Sequence, residues 1–149
     1  MFLQAYYFVT SVYGWVIWYH KKTERNIAVL SKNKRVMLTI TIVTSTLIFG
    51  FIVSKIHLLF PSIFSQPASY PYPDTFVAVV SIIATILLAQ QKLENWILWI
   101  IVDIISVVLY AKKGVMFISV EYFVFVCLAA AGLISWSKLY KHEKGLSPR

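Results

Sequence analysis

The sequence predicts an all-α integral membrane protein of about five transmembrane helices, on three observations. First, 59% of the 149 residues are hydrophobic and only 13% are charged, with a mean hydropathy of +0.74. A soluble domain of this length could not hide that much apolar surface. Second, the apolar residues gather into five stretches, 2–18, 36–60, 75–90, 96–110 and 115–136. A bilayer crossing takes about 17–25 residues, polar flanks counted in. Third, aromatic side chains crowd the ends of the stretches: Tyr6 and Tyr7, Trp15 and Trp18, Tyr70 and Tyr72, Trp136 and Tyr140. Such a belt is expected where helices meet the membrane–water interface.

The first stretch, MFLQAYYFVTSVYGWVIW, has no basic start and no small-residue cleavage site, and a basic run follows it. It reads as a retained helix and not as a cleaved signal. The next segment, HKKTERNIAVLSKNKR (20–35), holds six of the 14 Lys and Arg residues. The second stretch scatters Thr39, Thr41, Thr44, Ser45 and Thr46 around its axis with no polar stripe. It reads as a peripheral helix whose hydroxyls bond to its own backbone. PSIFSQPASYPYPD (61–74), with four prolines and one charge, reads as an irregular external cap. The third and fourth stretches are short, so their ends must sit at the interface or be shielded by neighbours. QKLEN (91–95) joins them, and its Glu94 is placed to reach water from the end of the fourth stretch. The tail after Trp136 carries Lys138, Lys141, Lys144 and Arg149.

Charge sets the orientation. If 20–35, 91–95 and the tail face the cytoplasm, 11 basic residues lie inside and only Lys55, Lys112 and Lys113 outside. The positive-inside rule then puts the N-terminus out and the C-terminus in. The net charge of +8 therefore marks membrane orientation and not a nucleic-acid partner. The single cysteine, Cys127, forbids an intrachain disulfide and offers no metal-ligand spacing. No phosphate-cradling GxxxxGK[ST] is present, which argues against direct coupling to ATP. GWVIW (14–18) and GLISW (132–136) share a GxxxW pattern at the inner ends of outside-to-inside helices, a faint echo of the parallel repeats found in some transporters.

Projected at about 100° per residue, Trp96, Trp99, Asp103, Ser106 and Tyr110 fall in one narrow sector, with Asn95 at its edge. A mid-membrane carboxylate is costly and usually lines a cavity; the plainer reading is a packing face on which Asp103 bonds to a neighbour. Asp74, Ala78, Ser81, Thr85 and Leu88 share a face of the third stretch, where small residues also suit close packing. Gln4, Tyr7, Ser11, Trp15 and Trp18 lie on one side of the first. The fifth carries Glu121 and Tyr122 near its outer end, where Glu121 can snorkel. Indoles stack on flat rings and attract cations, and a carboxylate adds a counter-charge. The favoured ligand is a small, aromatic, cationic molecule. An intramembrane enzyme would need a base beside Asp103, and His20, His57 and His142 all fall at helix ends or in loops. No catalytic residue, metal or cofactor is expected.

LENWILWIIVDIISVVLYAKKGVMFISVEY (93–122) closely resembles the sixth-to-seventh helix region of the PnuC family of vitamin-precursor transporters, whose signature is ENW followed by WxxWxxx[N/D]. MFLQAYYFVTSVYGWVIW resembles that family's third helix, and PDTFVAVVSIIATIL (73–87) its fifth. The resemblance covers nearly the whole chain except the polar loops. It implies a SWEET-like architecture of two parallel three-helix bundles joined by a linker helix. Residues 2–18 would belong to an incomplete first bundle, 36–60 would be the linker, 75–137 the second bundle, and 138–149 a basic cytoplasmic tail. It further implies facilitated uptake of nicotinamide riboside through a bacterial inner membrane, with a separate cytosolic kinase trapping the product. Trp96, Trp99, Asp103 and Asn95 would line the substrate path, with Gln4 as the third-helix glutamine and Tyr7, Asp74, Glu121 and Tyr122 as lesser contributors. Two departures stand out. Asp103 replaces the Asn of many nicotinamide riboside members, which keeps a thiamine-type vitamin as the alternative. The chain also begins at the family's third helix, so transport is expected only where a longer precursor or a homo-oligomer supplies the missing helices. A truncated, non-transporting membrane subunit is the competing class.

Overall fold

The computed structural model describes residues 27–61 and 66–146, together with Val9, Val12 and Tyr13. The rest of the first stretch, Gln4 and Tyr7 included, lies outside the described residues. Among the described residues four helices carry the fold: α1 (Lys32–Leu59), α2 (Pro71–Ala89), α3 (Glu94–Lys112) and α4 (Met116–Leu146). Each is long and apolar enough to cross a membrane, and each covers one of the expected stretches to within a residue. At 19 residues, α2 and α3 are about 28 Å long, just enough for the hydrocarbon core. At 31 residues, α4 runs to roughly 46 Å and projects beyond it.

The helices pack in chain order, α1 on α2, α2 on α3, and α3 on α4. Ile42, Val80 and Val102 form a buried cluster that joins α1, α2 and α3, with Phe76 and Leu98 against it. The outer faces are apolar and exposed, Phe117, Val120 and Phe123 of α4 among them, as lipid-facing helices require. On α1, Thr39 donates its hydroxyl to the Arg35 carbonyl and Thr41 to that of Met37, both at 3.0 Å. These two show the self-bonding expected of scattered threonines, whereas the buried Thr46 Oγ1 has no hydrogen-bond partner among the described residues.

Both tight turns end their helices in the same way. After α2, the Gln91 N–H donates to Leu88 O (3.0 Å) and the Lys92 N–H to Leu87 O (2.9 Å). After α3, the Gly114 N–H donates to Ala111 O (3.1 Å) and the Val115 N–H to Tyr110 O (2.9 Å). These paired bonds satisfy the last carbonyls and need a left-handed residue at the turn. Gly114 takes φ 76° freely, whereas Gln91 holds φ 55° with a side chain. The turns make α2, α3 and α4 an up-and-down antiparallel set.

Three expectations about boundaries need correcting. Pro71 and Pro73 do not belong to an irregular cap: they open α2, where a missing N–H costs nothing because first-turn donors have no helical acceptor. The tail from 138 is not a separate segment as far as Leu146, since α4 continues through its lysines. Glu94 does not reach out to water. It is 8% exposed and accepts hydrogen bonds at Oε1 from the Leu30 N–H (2.8 Å) and Arg35 Nε (2.9 Å). Ala28 also pairs with Lys92 in a short backbone bridge. The end of the basic segment and the 91–95 turn therefore share one end of the bundle. Asp74 and Lys113 form an ion pair (2.7 Å) where α2 begins and α3 ends, at the opposite end.

Candidate functional site

A cavity of about 360 Å³ lies between α2, α3 and α4. It is lined by Ser81, Trp96, Trp99, Val102, Asp103, Tyr122, Phe125, Leu128 and Ala129. The helical repeat explains the α3 wall: residues three and four apart fall one above another, so Trp96, Trp99 and Asp103 share a face over about 10 Å of axis. Tyr122, Phe125 and Ala129 repeat the pattern on α4. Ser81 comes from α2, and Thr85 one turn on donates its hydroxyl to the Ser81 carbonyl (2.8 Å).

Asp103 is the charged group of this wall. It is 3% exposed, and no side chain among the described residues bonds to it or pairs with it. A neighbouring hydrogen-bond partner, the plainer expectation for such a carboxylate, is therefore not found among those residues. The indole of Trp96 lies edge-on to Trp136, with ring centroids 5.5 Å apart and planes at 83°. Its Nε1 is buried with no acceptor among the described residues. Tyr122 stacks on Tyr110 at 5.4 Å and meets the edge of Phe125 at 5.9 Å. The Ser119 hydroxyl donates to Val107 O at 2.8 Å and ties α4 to α3 beyond the cavity.

The structure brings Trp96, Trp99, Asp103 and Tyr122 together and leaves Asn95, Asp74 and Glu121 elsewhere. Asn95 is wholly buried but does not line the cavity; its Nδ2 donates back to Lys92 O at 2.5 Å in the turn that precedes α3. Asp74 sits at the far end of α2, paired with Lys113. Glu121 is exposed and outside the lining, as a snorkelling residue would be. Gln4 and Tyr7 are among the residues not described. Sequence reasoning did not single out Phe125, Leu128 and Ala129. It followed polar residues along the fifth stretch and stopped at Tyr122, whereas continuing the three-and-four spacing from Tyr122 would have reached Phe125 and Ala129.

The family whose sequence model matches the chain, over residues 1–138, is described as the nicotinamide mononucleotide transporter family. The nicotinamide riboside transporter PnuC of Escherichia coli is 29% identical over 158 aligned positions, covering 91% of this chain and 65% of that protein. The nicotinamide riboside transporter PnuC of Neisseria mucosa is 33% identical over 84 positions, 52% of this chain and 32% of its own length. The chain thus spans about two thirds of the length of the first of these relatives. A crystal structure of the vitamin B3 transporter PnuC has a similar fold, with a TM-score of 0.64 at 24% identity over 91% of this chain and 60% of that one.

Proposed function

The chain belongs to the nicotinamide mononucleotide transporter family, and on that premise we propose that this multi-pass membrane protein carries nicotinamide riboside. The observation that carries the reading is the cavity wall, in which two indoles stand beside Asp103, a buried carboxylate unpaired among the described residues. It favours a flat cation, and family membership points to the riboside among such cations. Burying a lone charge is expensive, and a cationic ligand offsets that cost when it binds. The pyridinium ring of nicotinamide riboside is flat and positive. It can stack on Trp96 or Trp99 while its charge faces Asp103. Ser81 offers a hydrogen bond to polar substituents.

In this reading Trp96, Trp99, Asp103 and Tyr122 bind substrate. The bundle of α2, α3 and α4 is the second half of a SWEET-like carrier, and α1 is its linker. The protein sits in a bacterial inner membrane with the Glu94 end of α3 toward the cytoplasm, where the basic residues gather. Transport is passive, and a cytosolic kinase makes uptake net by adding a phosphate that the carrier no longer releases.

Calorimetric titration of the detergent-solubilised chain with nicotinamide riboside and with thiamine tests the substrate. Saturable binding of the riboside, at least tenfold tighter than thiamine, is the expected result. The reverse preference would move the reading to a thiamine-type carrier, and absence of binding by either would overturn it. In vesicles that hold the chain as a homo-oligomer or within a longer precursor, labelled riboside should equilibrate without a trapped kinase and accumulate when kinase and ATP are enclosed.

A further inference from the structure

Gly132 and Trp136 stand one turn apart on α4, and both touch Trp96. A Cβ built on Gly132 would lie 2.6 Å from Cε3 and from Cζ3 of that indole and 2.7 Å from Cη2. These are consecutive atoms of the six-membered ring, so one edge of the indole rests directly on the backbone of α4. Ordinary contact begins at 3.4 Å against the 2.6 Å found here, so a methyl group would displace the ring by roughly 0.8 Å. Trp136 meets the same indole at 5.5 Å in an edge-on contact and restricts movement on that side. The indole also forms part of the cavity wall.

We propose that Gly132 is a positioning residue: with Trp136 it seats the Trp96 indole against α4 and so sets the width of the gap in which a flat ring binds. The inference rests on the transport reading above and deepens it, because it assigns part of the affinity for substrate to a residue that does not itself line the cavity. It also gives the GLISW motif a local purpose. Glycine provides the space and the tryptophan four residues on provides the lateral stop.

The test uses the full chain in detergent and three variants: Gly132→Ala, Trp96→Phe and the two combined. Nicotinamide riboside binding is measured by calorimetry and unfolding by a thermal scan. Gly132→Ala should weaken binding at least tenfold. Phenylalanine has no atoms where Cζ3 and Cη2 of the indole lie, so the double variant should bind within about twofold of Trp96→Phe alone. Losses that simply add, or a lowered unfolding temperature with unchanged affinity, would mean that Gly132 serves only helix packing. Acrylamide quenching of the emission lost on Trp96→Phe tests the seat without any ligand. Gly132→Ala should raise quenching of that component, and an unchanged value would overturn the proposal. If the wild type binds no riboside, the transport reading fails for that substrate and the quenching result still decides the seat.

Discussion

Replacing Asp103 by Asn separates charge from shape at the centre of the cavity. Asn keeps the size and one acceptor oxygen, so the packing around the site should be retained. Asp103 is 3% exposed and unpaired among the described residues. The substitution therefore removes an uncompensated buried charge, and stability should hold or rise. Binding should behave in the opposite way. Removing one partner of a buried charge pair costs about 3–5 kcal/mol. Trp96 and Trp99 are only half buried, so water screens the site and the lower figure is appropriate. At 1.4 kcal/mol per factor of ten, about 3 kcal/mol corresponds to a loss of roughly a hundredfold for the cationic riboside. Retained affinity would show that the Asn found in many nicotinamide riboside members serves this cavity equally well and would refute the charge argument. The uncharged dihydropyridine form of the same riboside should lose less than about tenfold. Calorimetry or tryptophan quenching with both ligands, on wild type and variant, supplies the four affinities. Equal losses for the two ligands would show that Asp103 acts as a hydrogen-bonding group, and the charge argument would fall.

Trp99→Ala should weaken the charged and the uncharged ligand alike, each by about 1–2 kcal/mol, because it removes stacking area and not the counter-charge; a loss confined to the cation would contradict this in the same titrations. Glu94→Ala should lower unfolding free energy by about 2 kcal/mol in a detergent melt, since it leaves the Leu30 N–H without its acceptor. Arg35→Ala should cost less than about 1 kcal/mol, because that side chain is 53% exposed, and equal losses for the two would refute the assignment. In a Cys127→Ala background, single cysteines placed in 61–74 and in 20–35 should be labelled from opposite sides of the membrane. Labelling of both from one side would reject the proposed orientation.

The helices were legible in the sequence because an apolar run of bilayer length is rarely anything but a membrane-spanning helix. Their ends were less so, for a physical reason. Hydropathy marks where a segment stops being greasy, whereas a helix stops where its last carbonyls find new donors. Lys138 and Lys141 are polar yet continue α4, and Pro71 and Pro73 look like loop residues yet satisfy a first turn. The α3 face was legible at the level of single residues, because Trp96, Trp99 and Asp103 are fixed relative to one another by the helix alone. What they meet is a tertiary matter. No periodicity indicates that Ser81 would come to the same cavity, or that Glu94 would be covered by Leu30 and Arg35 from more than 50 residues away. Asn95 shows the limit within one helix. It stands beside the site in projection, yet it is turned back to the Lys92 carbonyl.

Three carboxylates bear on α3 and meet different fates. Glu94, at one end, is covered and takes up Arg35 and the Leu30 N–H. Asp74 of α2 pairs with Lys113 at the other end, where Tyr110 also lies 5.3 Å from the ammonium group. Each of these binds a cation of the chain, and each ties α3 to a neighbouring helix. Asp103, midway between them, is as buried as Glu94 and has no such cation among the described residues. Had the fold required a charge there for packing, a neutral residue of similar volume would serve at lower cost, since buried ions stabilise only when fully compensated. The two terminal pairs hold the helix in place, and that rigidity fixes where Asp103 stands. The electrostatic partner it lacks within the described chain is the charge that a cationic ligand brings.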